Sequence, residues 1–146
     1  MSDNLGPELQ GSPIYTVELA QALLGHIRDM LERLRSLLRA HGASWLQDPL
    51  LNRLVSANGH AAAPRPDLDL TATAPLGRIP APIAEISAIH DELTRLGVLL
   101  RDPMRGLIDL HYRRDGRIVY LCYQLGEEKF GFWHELDAGF GGRQPL

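Results

Sequence analysis

From Val17 to Leu38 apolar residues recur at alternating intervals of three and four, and after Gly97 the interval drops to two. This change of rhythm constrains the fold more than any single motif. A helical backbone buries rows spaced three and four apart, and a pleated strand buries alternate residues. A chain with the first pattern early and the second late reads as α+β: a long antiparallel helical hairpin, then a small three-stranded antiparallel β-meander and a Gly-rich tail.

The helical half opens at Thr16, an N-cap by type, with Glu18 placed to complement the helix dipole. One heptad position holds Val17, Leu24, Leu31, Leu38 and Trp45, and a second holds Ala20, Ile27, Leu34 and His41. Leu23, Met30 and Leu37 form a third row. Two rows make a coiled-coil seam, whereas three require more than one neighbour. The spacing predicts a helix over 16–42, and one short partner helix cannot cover it. A homo-oligomer formed through the Val17–Leu38 face is therefore expected. Asp48-Pro49 reads as a second helix start, with Leu50, Leu51, Leu54 and Val55 as its apolar face and Asn58-Gly59 as its stop. Five prolines make 60–82 an irregular connector. Ile83 to Leu96 is helical again, with Ile86, Ile89, Leu93 and Leu96 on one face and Gly97 as C-cap, packed antiparallel on the first helix.

Beyond Gly97, Val98 to Leu100 can begin a strand and 102–106 is a turn. Leu107 to Tyr112 is a strand with Ile108, Leu110 and Tyr112 on one side and Asp109 and His111 on the other. Asp115-Gly116 marks a hairpin, Ile118 to Leu125 the next strand, 126–129 a turn, and Phe130 to Glu135 the last strand. The tail from Asp137 has three glycines and no periodicity, and Gly139-x-Gly141-Gly142 lacks the strand-to-helix context of a phosphate loop.

Three runs carry a resemblance. They are Val119-Tyr-Leu-Cys-Tyr-Gln-Leu-Gly-Glu127, Gly131-Phe-Trp-His-Glu-Leu-Asp-Ala-Gly-Phe140 and Arg143-Gln-Pro-Leu146. With Arg105-Gly-Leu-Ile-Asp109, Asp115-Gly-Arg117 and the helix start at Tyr15-Thr16, the chain resembles a bacterial family called domain of unknown function 2203. Leu19, Gln21 and Gly25 stand where that family carries an acidic residue, an asparagine and a proline, which argues against a polar role there. The resemblance implies the same fold and brings no activity with it.

At 146 residues the chain suits one domain, 14–146, behind a polar, Gly/Pro-rich N-terminal segment expected to be disordered over 1–13. That segment lacks the apolar run of a signal peptide, no stretch is long and apolar enough to span a bilayer, and one cysteine allows no internal disulfide. A cytoplasmic home is expected. A net charge of −3 argues against broad nucleic-acid binding, although Arg113, Arg114 and Arg117 gather at a hairpin tip.

Chemistry-bearing residues concentrate in Asp109, His111, Tyr123, Trp133, His134, Glu135, Asp137 and Arg143. Phe132, Trp133 and Phe140 could wall a pocket, and Asp109 and His111 on one strand face could present two ligands to one metal. The metal candidates are His134, Asp137, His111 and Asp109, in no standard zinc spacing, and no cofactor is indicated. The structural alternative has Trp133 and the phenylalanines in the core, His134 donating to a backbone carbonyl, and Arg143 pairing with Glu135 or Asp137. Cys122, mid-strand in an apolar run, reads as a buried inert thiol. His26, His60 and His90 read as solvated or locally bonded, and His41 as a helix-end histidine. Two functions fit: a non-catalytic, homo-oligomeric interaction, scaffold or accessory protein, or a metal- or small-ligand-binding module, conceivably an enzyme, using the His134–Arg143 segment.

Overall fold

The computed structural model describes residues 11–45 and 81–146. The expected helix start at Asp48-Pro49, most of the proline-rich connector with His60, and most of the N-terminal segment lie outside them. The described chain forms helix α1 (Val17–Trp45), helix α2 (Ala81–Arg95) and five strands: β1 (Leu99–Asp102), β2 (Leu107–Arg114), β3 (Arg117–Gln124), β4 (Phe132–His134) and β5 (Gln144–Pro145). The strands lie in sequence order in one sheet, each antiparallel to the next. The sheet thus has two strands more than the three expected. β1 is added at the front, and the tail folds back through a short turn at Phe140–Gly142 to add β5.

α1 begins where expected: the Leu19 N–H donates to Thr16 Oγ1 at 3.1 Å. α2 lies antiparallel to it. His26 faces Glu92 at 3.6 Å and Arg33 faces Glu85 at 2.6 Å, so the pairs run in opposite order along the two helices. α2 ends in a Schellman motif. Gly97 N–H donates to the Thr94 carbonyl and Val98 N–H to the Leu93 carbonyl, both at 2.9 Å. Gly97 has φ +76°, and a Cβ there would fall 2.6 Å from Pro13 Cδ, so glycine is needed for conformation and for room.

The described apolar residues of all three rows of α1 face the inside of the chain. Ile27, Leu31, Leu34, Met30 and Leu37 are buried in one core with Ile83, Ile86 and Leu93 of α2 and Ile108, Leu110, Leu121 and Tyr123 of the sheet. The sheet supplies the second neighbour that the third row demanded. Of the described large apolar residues of α1 only Leu19 is exposed, at 49%. The surplus surface from which self-association was expected is therefore covered by β2 and β3. Gln21 also departs from expectation, because its side-chain oxygen accepts the Phe130 N–H at 3.2 Å and ties α1 to the chain before β4.

The hairpin between β2 and β3 sets the sheet's two faces. Asp115 (φ 51°) and Gly116 (φ 78°) both have positive φ, the type I′ turn that suits strand twist. The register that follows pairs Leu110 with Leu121, Ile108 with Tyr123, and Asp109 with Cys122. Directly opposed residues share a face. One face carries Ile108, Leu110, Leu121 and Tyr123 toward the helices, and the other carries Asp109, His111, Tyr120 and Cys122 away from them. Truncating the centre of the shared core tests this layering: Leu31→Ala should cost about 2–5 kcal/mol of unfolding free energy by denaturant titration.

Candidate metal and ligand site

Asp109 on β2, Cys122 on β3 and His134 on β4 are only 2%, 1% and 3% exposed. They lie on the sheet face turned from the helices. His134 pairs with Tyr120 in the ladder, two residues from Cys122 and so on the same face, and the Asp109 and His134 side chains meet across β3. His134 Nε2 lies 3.0 Å from Asp109 Oδ1, and His134 Nδ1 lies 2.9 Å from the Glu135 carbonyl oxygen. A carbonyl only accepts, so Nδ1 carries a hydrogen. Across from Nε2 stands a carboxylate that also only accepts, so that nitrogen is protonated too. His134 is then an imidazolium against an aspartate.

Arg101 completes the arrangement. A β-bulge between Leu100 and Asp102 leaves Arg101 out of the ladder, and its Nε donates to Asp109 Oδ2 at 2.7 Å. Burial pushes Asp109 up, but hydrogen bonds from His134 and Arg101 outweigh it and hold the carboxyl below its usual range. Burial pulls His134 down, and the bonds to Asp109 and the Glu135 carbonyl reverse this and raise it. Cys122 goes the other way. Burial and then the Asp109 charge push its thiol up to about 12, against a smaller opposing pull from Arg143. The thiol is protonated at neutral pH, which argues against its acting as a free nucleophile.

The three side chains line a pocket of about 350 Å³. Its other walls are Arg101, Leu107 and the segment from Leu136 to Phe140, in which Asp137 is exposed. The Asp109, Cys122 and His134 donor atoms all lie within 4.8 Å of one another, a grouping that could hold a metal ion.

Over residues 13–146 the chain matches the family described as uncharacterized conserved protein (DUF2203). It belongs to that family. No curated protein and no solved structure matches it. The matched span of this DUF2203 chain takes in the whole site, and among the described residues no helix is long and apolar enough to cross a membrane.

The structure gathers only part of the cluster read from the sequence. Asp109 and His134 meet, and Asp137 lies at the same pocket. His111 shares their face and is buried, but its ring packs on Tyr120 at 5.3 Å between centroids, with His134 on Tyr120 at 5.4 Å. Tyr123 belongs to the opposite face, in the core, where Arg28 Nε donates to its hydroxyl at 3.3 Å. Trp133 pairs with Leu121, which puts it on that face too, so it walls no part of the pocket; Arg114 and Arg117 stack on it at 4.8 and 5.8 Å. The Glu135 side chain turns outward to Arg117, and the residue serves His134 through its carbonyl alone. Arg143 pairs with Glu127 at 2.6 Å rather than with Glu135 or Asp137, and lies between Phe132 (4.1 Å) and Phe140 (4.7 Å). Glu127 was missed, as was Arg101, which the bulge re-aims. Cys122 is buried as expected, yet among charged groups. The Asp115-Gly116 turn was the signal for it, since a two-residue hairpin there puts 109 opposite 122.

The buried pair makes stability depend on pH. The depressed Asp109 contributes above the unfolded carboxylate value and loses that contribution as pH falls through its folded value. The raised His134 contributes below the unfolded imidazole value and loses it as pH rises through its folded value. Both are present between about pH 4 and 6.5. With chelator present, unfolding free energy should fall as pH is raised from 6.5 to 9, and His134→Gln should flatten that limb. Asp109→Ala, which removes the bond that raises His134 and leaves burial to hold the imidazole neutral, should cost about 1–3 kcal/mol at pH 6.

Proposed function

We propose that this DUF2203 protein is a metal-binding module that holds one zinc-type divalent cation between Asp109, Cys122 and His134. One observation supports it above others: a carboxylate, a thiol and an imidazole, buried on three adjacent strands, bring their donor atoms within 4.8 Å of one another at a pocket. Oxygen, sulfur and nitrogen donors of these kinds bind zinc at about 2.0–2.3 Å, so the trio has to draw in by roughly an ångström. The surroundings fit as well. His134 gives its second ring nitrogen to a backbone carbonyl, the contact that orients a metal-bound histidine, and Arg101 holds the far oxygen of Asp109.

The cation would take the place of the proton between His134 and Asp109 and of the Cys122 thiol proton. Binding then releases protons and tightens as pH rises. The reading is one of binding rather than nucleophilic catalysis. Because it needs a reduced thiol, a reducing compartment suits it, and the cytoplasm is the proposed location.

Chelator-stripped protein titrated with Co²⁺ should take up one equivalent, with a thiolate-to-metal band in the near ultraviolet. Cys122→Ala should abolish that band and weaken binding by about a hundred-fold or more, while unfolding without metal changes by no more than about 1 kcal/mol. Equal Co²⁺ affinity in wild type and Cys122→Ala would refute the assignment.

A further inference from the structure

On the strength of that metal reading, we infer that Arg101 is the positioning residue that decides which cations the site accepts. By occupying Asp109 Oδ2 it makes Asp109 a one-oxygen ligand, and so turns away hard cations that gather many oxygens. Zinc-type ions are held by few donors at short range, and nitrogen and sulfur serve them well. Calcium and manganese favour oxygen and collect about six ligands or more, so a carboxylate that offers both oxygens suits them. One carboxylate can serve either class. What decides is whether its second oxygen is already committed.

The two oxygens of Asp109 face different partners. Oδ1 lies 3.0 Å from His134 Nε2, on the side where the three donors converge. Oδ2 accepts from Arg101 Nε at 2.7 Å. Asp109 is buried, so water competes poorly for that bond, and a hydrogen bond between two charged groups is among the stronger ones a side chain makes. A cation that took both oxygens would have to break it and bring its own charge against the guanidinium. Selectivity draws on such repulsion as much as on attraction.

Arg101 is itself held in place. The bulge between Leu100 and Asp102 takes it out of the ladder, and its guanidinium lies over the Tyr120 ring, 4.8 Å from the centroid. Tyr120 stands opposite both His111 and His134 in the sheet, and its ring packs on the His134 ring at 5.4 Å. The same ring thus braces the imidazole of the site and the arginine that aims its carboxylate. A guanidinium donates from a rigid plane, so fixing that plane fixes the direction of the bond to Oδ2. Arg101 acts on the site through Asp109.

The test compares the full wild-type chain with Arg101→Met. Zn²⁺ affinity is read by competition with a chelating dye and Mn²⁺ affinity by loss of the free-ion paramagnetic resonance signal. In Arg101→Met, Zn²⁺ should weaken by about ten-fold or more while Mn²⁺ binds more tightly than to wild type, because the second oxygen is released. The visible Co²⁺ bands should fade at the same time, as the ion gains ligands. A merely structural arginine would weaken both cations alike, so no gain for Mn²⁺ would overturn the inference and leave the metal reading standing. Should Arg101→Met not fold, wild type alone still decides. Its bound Co²⁺ should show the intense visible bands of a low-coordinate ion, and the faint bands of an octahedral one would overturn the inference. Failure of wild type to take up Zn²⁺ or Co²⁺ at all would overturn the metal reading, and this inference with it.

Discussion

The two-residue turn at Asp115-Gly116 governs most of what this chain does with its C-terminal half. Both residues have positive φ, and that geometry leaves no choice of register between β2 and β3. A slip of one residue would send Ile108, Leu110, Leu121 and Tyr123 into solvent and bring Asp109 and Cys122 against the leucine rows of α1. The cost would be several kcal/mol for the stranded carboxylate alone. The core and the polar cluster are thus two consequences of one hairpin. Neither could be relocated without moving the other.

The division of labour between the faces was legible in the sequence. The alternation of Ile108, Leu110 and Tyr112 with Asp109 and His111 gave it directly, and the spacing of Val17 to Leu38 gave α1. What covers α1 was not legible. Three apolar rows demand a second neighbour, but nothing local says whether that neighbour is another chain or the sheet arriving some seventy residues later. The two outer strands were harder to read for a related reason. β1 is broken by a bulge, so only its start at Val98 to Leu100 could be read, and β5 is two residues of a glycine-rich tail, too short to show a period.

The site was legible in its acid and its imidazole and obscure in its third member. Composition marks the stretch around His134 as dense in polar groups, but density does not report direction. Trp133 and His134 are neighbours in the chain and lie on opposite faces; Tyr123 follows Cys122 and does the same. Cys122 looked apolar because its neighbours in the chain are apolar. Its neighbours in space are Asp109 and His134, set by cross-strand pairing. Arg101 and Glu127 were missed because a bulge and a tight turn override simple alternation.

The last strand has a consequence for how the molecule meets other chains. Among the described residues β5 is the outer strand of the sheet at this side, only two residues long, and the second of them is Pro145, opposite Phe132. Proline offers no amide hydrogen, and a two-residue ribbon gives an incoming strand almost nothing to zip onto. The sheet thus ends in a blunt margin, which guards against open-ended strand addition along that flank.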